Sequence, residues 1–170
     1  MKKDKNFIEL FPLLTNRLII RLSSINDVNL LLKMDKQKET QLFLGGIKNK
    51  TKEERLLFLE DKIRKFNSFT ICLKNDTPIG FINIIIKDND AEISYILDYD
   101  FINNGYCTEA CKKVIDVLIN DLEIDEVKAK IVNGNNSSKR VLEKLGFEFQ
   151  NEITKDSIKY KNYVLKNGGK

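Results

Sequence analysis

The stretch Asp98-Tyr99-Asp100-Phe101-Ile102-Asn103-Asn104-Gly105-Tyr106-Cys107-Thr108-Glu109-Ala110 concentrates this sequence's capacity for chemistry. An alternating apolar run ends, a short loop turns on Gly105, and a helical pattern follows at once. The first N–H groups of a helix have no intrahelical acceptor and carry the positive end of its dipole, so a terminus of this kind is suited to an anion. Gly105 permits the tight turn and lets phosphate oxygens approach the backbone. A lone glycine marks no more than a helix start, and the reading depends on what accompanies it.

The chain contains no histidine. That excludes Ser-His-Asp and Cys-His nucleophilic machinery and every His-based metal site. A general base must then be a carboxylate, lysine, tyrosine, cysteine or relayed water. Cys72, Cys107 and Cys111 are too few for a metal cluster and read as reduced thiols. Cys107 and Cys111 lie one helical turn apart. A helix N-terminus could activate one of them, but small buried residues under a sheet account for both. No metal is expected.

Composition is that of an ordinary globular chain: 170 residues, 42% hydrophobic and 32% charged, with 29 basic against 25 acidic side chains. The length suits one domain with a real core. The net charge of +4 is spread along the chain, without a basic stripe or aromatic platform, so no nucleic-acid partner is expected. The lysines Lys48, Lys50 and Lys52 read as a solvated face. The polar start Met1-Lys2-Lys3-Asp4-Lys5-Asn6 and the short apolar run Ile84-Ile85-Ile86 suggest neither a signal peptide nor a membrane span. A cytoplasmic location is expected.

The elements that must position the loop follow from periodicity. A loose arm over residues 1–13, containing Pro12, precedes a strand from Arg17 to Leu22. Ser24 or Asn26 can cap a helix bearing Val28, Leu31 and Leu32. Gly45-Gly46 breaks the chain, and the capping-box pattern Thr51-Lys52-Glu53-Glu54 opens a second helix with a face through Leu56, Leu59, Ile63 and Phe66. Three strands follow, Phe69–Leu73, Ile79–Ile86 and Ala91–Leu97, joined by the turns Asn75–Pro78 and Lys87–Asp90. The helix after Gly105 runs to about Asp121 with Cys107, Ala110, Cys111, Val114, Val117 and Leu118 inward. Val127, Ala129 and Ile131 alternate as a half-buried strand. A short helix, Ser137–Leu145, ends at Gly146. Strands Phe147–Ile153 and Ile158–Leu165 close a single domain over 14–166, leaving a frayed tail at 167–170. The order predicts an α/β fold. The strands flanking the Gly105 helix should lie side by side and parallel.

Two motifs at this separation resemble the GNAT superfamily of N-acetyltransferases, and within it the ribosomal-protein-alanine N-acetyltransferase-like branch. The first is Glu92-Ile93-Ser94-Tyr95-Ile96-Leu97-Asp98 followed by Gly105-Tyr106-Cys107-Thr108-Glu109-Ala110. The second is Asn135-Asn136-Ser137-Ser138, then Val141-Leu142-Glu143-Lys144-Leu145-Gly146-Phe147. Leu14-Thr15-Asn16-Arg17-Leu18 also looks like the branch's first strand, so the resemblance runs from Leu14 to Leu165. It implies a mixed, mostly antiparallel seven-stranded sheet with a splayed parallel central pair and helices on both faces.

The resemblance also implies a mechanism. Acetyl-coenzyme A (acetyl-CoA) is the co-substrate and an amine is the acceptor. Backbone amides of Asn103, Asn104, Gly105, Tyr106, Cys107 and Thr108 would hold the pyrophosphate. The strand edge at Ile96 and Leu97 would bond the pantetheine arm as an added strand does. Glu92 matches the family's glutamate and is the candidate base, directly or through water; as plain structure it is a surface carboxylate. Ser138 is the candidate donor to the leaving thiolate, with Asn135 on the pantetheine amide; as plain structure the serine is a helix cap. Tyr95, Tyr106, Tyr160 and Tyr163 are possible donors to the leaving group but read more simply as packing residues with wet hydroxyls, and Glu109 as a dipole partner. Asn103 and Asn104 stand where the family often has Arg, Lys or Gln, a loss that would weaken coenzyme affinity. Cys107 replaces a small Gly or Ala, and Ser94 a Gly. The acceptor pocket would be built by the loop Leu44–Lys50, the two early helices and the last strand pair. A homodimer is what the family alone suggests. A non-catalytic coenzyme A-binding sensor of the same fold is the alternative.

Overall fold

The structure is a computed structural model that describes residues 7–65 and 67–168. The first six residues and the last two of the tail, with Phe66 of the expected helix face, lie outside the described residues.

A single sheet runs through the chain in the order β1-β2-β3-β4-β5-β6-β8-β7. Its strands are β1 (Leu13–Leu14), β2 (Leu18–Leu22), β3 (Asn67–Leu73), β4 (Pro78–Lys87), β5 (Asp90–Leu97), β6 (Glu126–Val132), β7 (Glu148–Lys155) and β8 (Ile158–Lys166). The expected count of seven is corrected to eight. The added strand is β1, which doubles back so that Leu13 pairs with Ile20 and Leu14 with Ile19. The side chain of Thr15 holds that turn by accepting the Leu18 N–H at 2.9 Å. The arm is not loose over residues 7–13. Phe7 and Leu13 are buried in the core, and the Phe11 ring stacks on Phe69 at 3.8 Å.

The helices are α1 (Val28–Asp35), α2 (Lys38–Gln41), α3 (Lys52–Lys65), α4 (Tyr106–Asn120) and α5 (Asn136–Lys144). The capping box of α3 forms as its sequence predicts: the Glu54 N–H donates to Thr51 Oγ1 at 3.2 Å, and the Thr51 N–H to Glu54 Oε2 at 2.8 Å. Strand alternation sends β5 to both faces. Ala91, Ile93, Tyr95 and Leu97 join the main core with Ala110, Cys111, Val114 and Leu118 of α4. Ile96 turns the other way, against Leu30, Met34 and Phe81 under α1. Each fully buried side chain of this size stabilises the fold by about 1.5–3 kcal/mol.

Among the described residues β5 and β6 form the one parallel pair, with α4 carrying the chain between them. They are paired only at Asp90–Glu126, Ala91–Val127 and Glu92–Lys128. Beyond Glu92, β5 keeps its pairing with β4 through Leu97, while β6 from Ala129 onward pairs with β8. The two strands therefore part, and a wedge opens toward the end of β5. No helix among the described residues is long and apolar enough to cross a membrane.

Candidate active site

The loop between β5 and α4 is fastened at both ends. Asp98 is buried, and its carboxylate accepts from Gln37 Nε2 and Lys33 Nζ, each at 2.6 Å, and from the Asp100 N–H at 3.1 Å. Burial pushes that carboxyl up, but these donors outweigh it and hold it below the ordinary range. Asn103 (φ 60°) and Gly105 (φ 78°) both take the left-handed conformation. The Asn104 side chain folds back to donate to the carbonyls of Ile102 (2.9 Å) and Phe101 (3.3 Å). Gly105 stands at the N-cap with no side chain to close the helix, and the Glu109 N–H makes the first bond back to it, at 3.0 Å. The N–H groups of Tyr106, Cys107 and Thr108 precede that bond and have no intrahelical acceptor. This is an exposed cradle of backbone donors at the positive end of a fifteen-residue helix.

A cation that local sequence does not connect to the loop completes it. Arg17 comes from the β1–β2 turn, donates through Nη1 to the Asn104 carbonyl at 3.0 Å, and lies over the Tyr106 ring at 4.5 Å. Glu109 accepts from Arg17 Nε and Nη2 at 2.7 Å, from the Arg17 N–H at 3.0 Å, and from Thr15 Oγ1 at 2.6 Å. The expected dipole partner is therefore also the clamp that brings Arg17 to the loop. A guanidinium thus stands beside a loop whose own positions 103 and 104 are asparagines, brought there from 87 residues before Asn104.

At the wedge, Asn135 caps α5 by accepting the Ser138 N–H at 3.1 Å. The cap expected of Ser138 thus falls to the Asn135 side chain. Ser138 is half-buried, and its carbonyl accepts a hydrogen bond from Tyr95 Oη at 3.1 Å. Tyr95 packs against the core, and its hydroxyl also links β5 to the first turn of α5 across the opened strands. Burial, reinforced by the nearby Cys107 and Cys111, pushes its phenol far up, so it remains a protonated donor. Burial and the Cys107 contact likewise keep Cys111 a neutral thiol, which removes it as a nucleophile. Among the described residues no group of three or more His, Cys, Asp or Glu is disposed to hold a metal.

On the face of β5 opposite α4 lies a cavity of about 360 Å³. Ser94, Tyr95 and Ile96 form its wall at the wedge, and Leu31, Leu44, Lys48, Arg55 and Phe58 line it from α1, α3 and the preceding loop. The loop and early helices, which were expected to build an acceptor pocket, line this cavity. The last strand pair contributes nothing to this lining, because β8 lies beyond β6 and β7 beyond β8. Asp35 is the carboxylate in the wall, and it is locked in a buried two-point pair with Arg55. Glu92 is exposed, on the same face of β5 as Ser94 but outside the lining. In register it opposes Lys128, whose ammonium turns instead to Asp90. Leu97 faces the α4 side, paired with Gly80.

Comparison with known proteins agrees with this architecture. Residues 17–148 match the family model described as acetyltransferase (GNAT) domain, and the chain belongs to that family. An uncharacterized N-acetyltransferase of Bacillus subtilis, YjdG, is 26% identical over 113 residues, 64% of this chain and 65% of that protein. The chain thus spans less than two thirds of that relative's length. A GNAT-family acetyltransferase structure from Bacillus anthracis superposes with a TM-score of 0.81 at 18% identity, covering 92% of this chain and 98% of the other. Spermidine N-acetyltransferase from Vibrio cholerae, solved with CoA and spermine, gives a TM-score of 0.76 at 12% identity, covering 90% and 97%. At these identities the structures share the fold.

Proposed function

We propose that this chain is an N-acetyltransferase that moves an acetyl group from acetyl-CoA to a primary amine by direct attack on the thioester. The acceptor is a small-molecule amine or a protein or peptide N-terminus, the latter being what the ribosomal-protein-alanine-like branch would use. The observation that carries the reading is the parting of β5 from β6 just beyond Glu92, on the strand that leads into the uncapped start of α4. In this reading the amides of Asn103 to Thr108, helped by Arg17, hold the pyrophosphate. The freed edge of β5 at Ile96 and Leu97 bonds the pantetheine arm. The thioester then lies in the wedge, and the amine approaches from the cavity on the opposite face.

A free amine with a pKa of ~10 is mostly protonated at neutral pH and must lose a proton before it attacks. Asp35 is committed to Arg55, so the proton passes from the cavity to Glu92 through water. Ser138 Oγ supplies the hydrogen bond to the departing thiolate. Tyr95 is a positioning residue that holds the Ser138 backbone in place.

The test is thermal unfolding with acetyl-CoA against ATP, followed by free-thiol release with a panel of amines. At one hundred times its dissociation constant, coenzyme should add about 2.7 kcal/mol to stability. No shift with acetyl-CoA overturns the reading. One observation favours the rival, a coenzyme A-binding sensor: the cavity's own carboxylate is locked and Glu92 stands outside its wall. Glu92→Gln and Ser138→Ala separate the two, because an enzyme loses turnover in these variants while keeping coenzyme affinity, and a sensor has no turnover to lose.

A further inference from the structure

The charges around the cavity describe its occupant. Arg55 and Asp35 neutralise each other in a buried pair. Among the described residues Lys48 has no such paired counterion. Its ammonium donates to Gln41 Oε1, to the Leu44 carbonyl at 2.9 Å and to the Gly46 carbonyl at 3.5 Å, all uncharged oxygens. Lys62 lies on the same wall, with its ammonium 5.5 Å from the Phe58 ring centre. The rest of the lining is apolar, from Leu31, Phe58, Phe81 and Ile96, or neutral. A half-buried positive charge without a counterion favours an anion and repels a polycation, since neither is fully screened there.

We propose that the acceptor is a small amine that also carries a carboxylate or phosphate on an apolar body, and that Lys48 binds the anionic group. This rests on the acetyltransferase reading and names its acceptor class. The cavity volume is in the range that suits a small molecule. The weakest of the three Lys48 bonds, to Gly46, is the donor that an anion takes over. Burial holds the Lys48 ammonium below the ordinary lysine range with only partial relief from Asp35, and a bound anion reverses that direction. The Lys48 N–H donates to the Asp35 carbonyl at 3.0 Å, which fixes the segment against the end of α1.

The experiment compares matched amines by free-thiol release at saturating acetyl-CoA. Leucine is set against isopentylamine, phenylalanine against phenethylamine, phosphoethanolamine against ethanolamine, and spermidine is included. The acid-bearing member of at least one pair should show kcat/KM tenfold or more above its partner and above spermidine, and the carboxylate and phosphate arms separate the two anion types. Lys48→Met should collapse that ratio through KM, and Lys48→Arg, which keeps the charge, should restore most of it. Retained stabilisation by acetyl-CoA shows that each variant is folded. Equal or better turnover of the partners lacking the acid group, or of spermidine, by the unmodified protein overturns the proposal and leaves the acetyltransferase reading standing. So does an unchanged ratio in Lys48→Met. Absence of turnover with every amine of the panel also overturns the proposal, while the acetyltransferase reading falls only if acetyl-CoA fails to stabilise the protein.

Discussion

Gly105→Ala tests the phosphate cradle most directly, because its two costs can be worked out separately. The residue has φ 78°, a conformation that costs an alanine about 1–2 kcal/mol. An added Cβ meets no heavy atom nearer than Arg17 Nη2, at 3.4 Å, the end of a flexible side chain, so little steric cost is added in the free protein. For a chain of this size the melting temperature should fall by roughly 2–8 °C. Bound coenzyme adds a second cost, since the methyl group occupies the approach to the amides of Gly105 and Tyr106. Each charge-assisted bond lost is worth about 1.5–3 kcal/mol, which is roughly a tenfold to hundredfold rise in Kd. Calorimetric titration with coenzyme A measures it. Gly146→Ala is the control: its φ is 85°, its nearest atom is Leu165 Cδ1 at 3.6 Å, and it lies at the far end of α5. It should lose similar stability and keep its coenzyme Kd. If both variants lose stability alike and Gly105→Ala binds coenzyme within twofold of the unmodified protein, the phosphate does not sit at this turn.

Arg17→Ala should raise the coenzyme Kd several-fold while costing on the order of 1 kcal/mol of stability for its half-exposed ion pair, as chemical denaturation would show. Glu92→Gln should lower kcat by about 10²–10⁴ with coenzyme Kd unchanged, as steady-state free-thiol release and calorimetric titration would show. Asp35→Ala leaves Arg55 buried without its partner and should cost about 3–5 kcal/mol, read from the denaturant midpoint. Burial pushes the Asp27 carboxyl up, but donors from Arg21, Ser24 and Thr70 outweigh it and leave its pKa below the unfolded value of 3.8. Its contribution is therefore present above about pH 4 and is lost as pH falls through the lower folded value. Denaturant midpoints followed from pH 5 to pH 2 should decline, and less steeply in Asp27→Asn.

What the sequence determined by itself was local. Val127, Ala129 and Ile131 alternate because one face of β6 is buried, and Ala110, Cys111, Val114 and Leu118 recur because one face of α4 is. Gly105 after an apolar strand marked the turn, and the lack of histidine narrowed the chemistry before any contact was known. Even the parallel pairing of β5 with β6 followed from the helix between them. Tertiary structure decided what depends on pairs distant in sequence. Leu13 and Leu14 are too short a run to announce a strand, and they become one only because β2 offers an edge. Arg17 gives no sign of its position until Glu109 and Thr15 hold it against Asn104. Tyr95 and Ser138 meet only once α5 is packed, and Asp35 is paired off only by Arg55, twenty residues on. Periodicity records which face of an element is buried. It carries no term for which side chain of another element arrives there, so the backbone of this site was legible in advance and its charges were not.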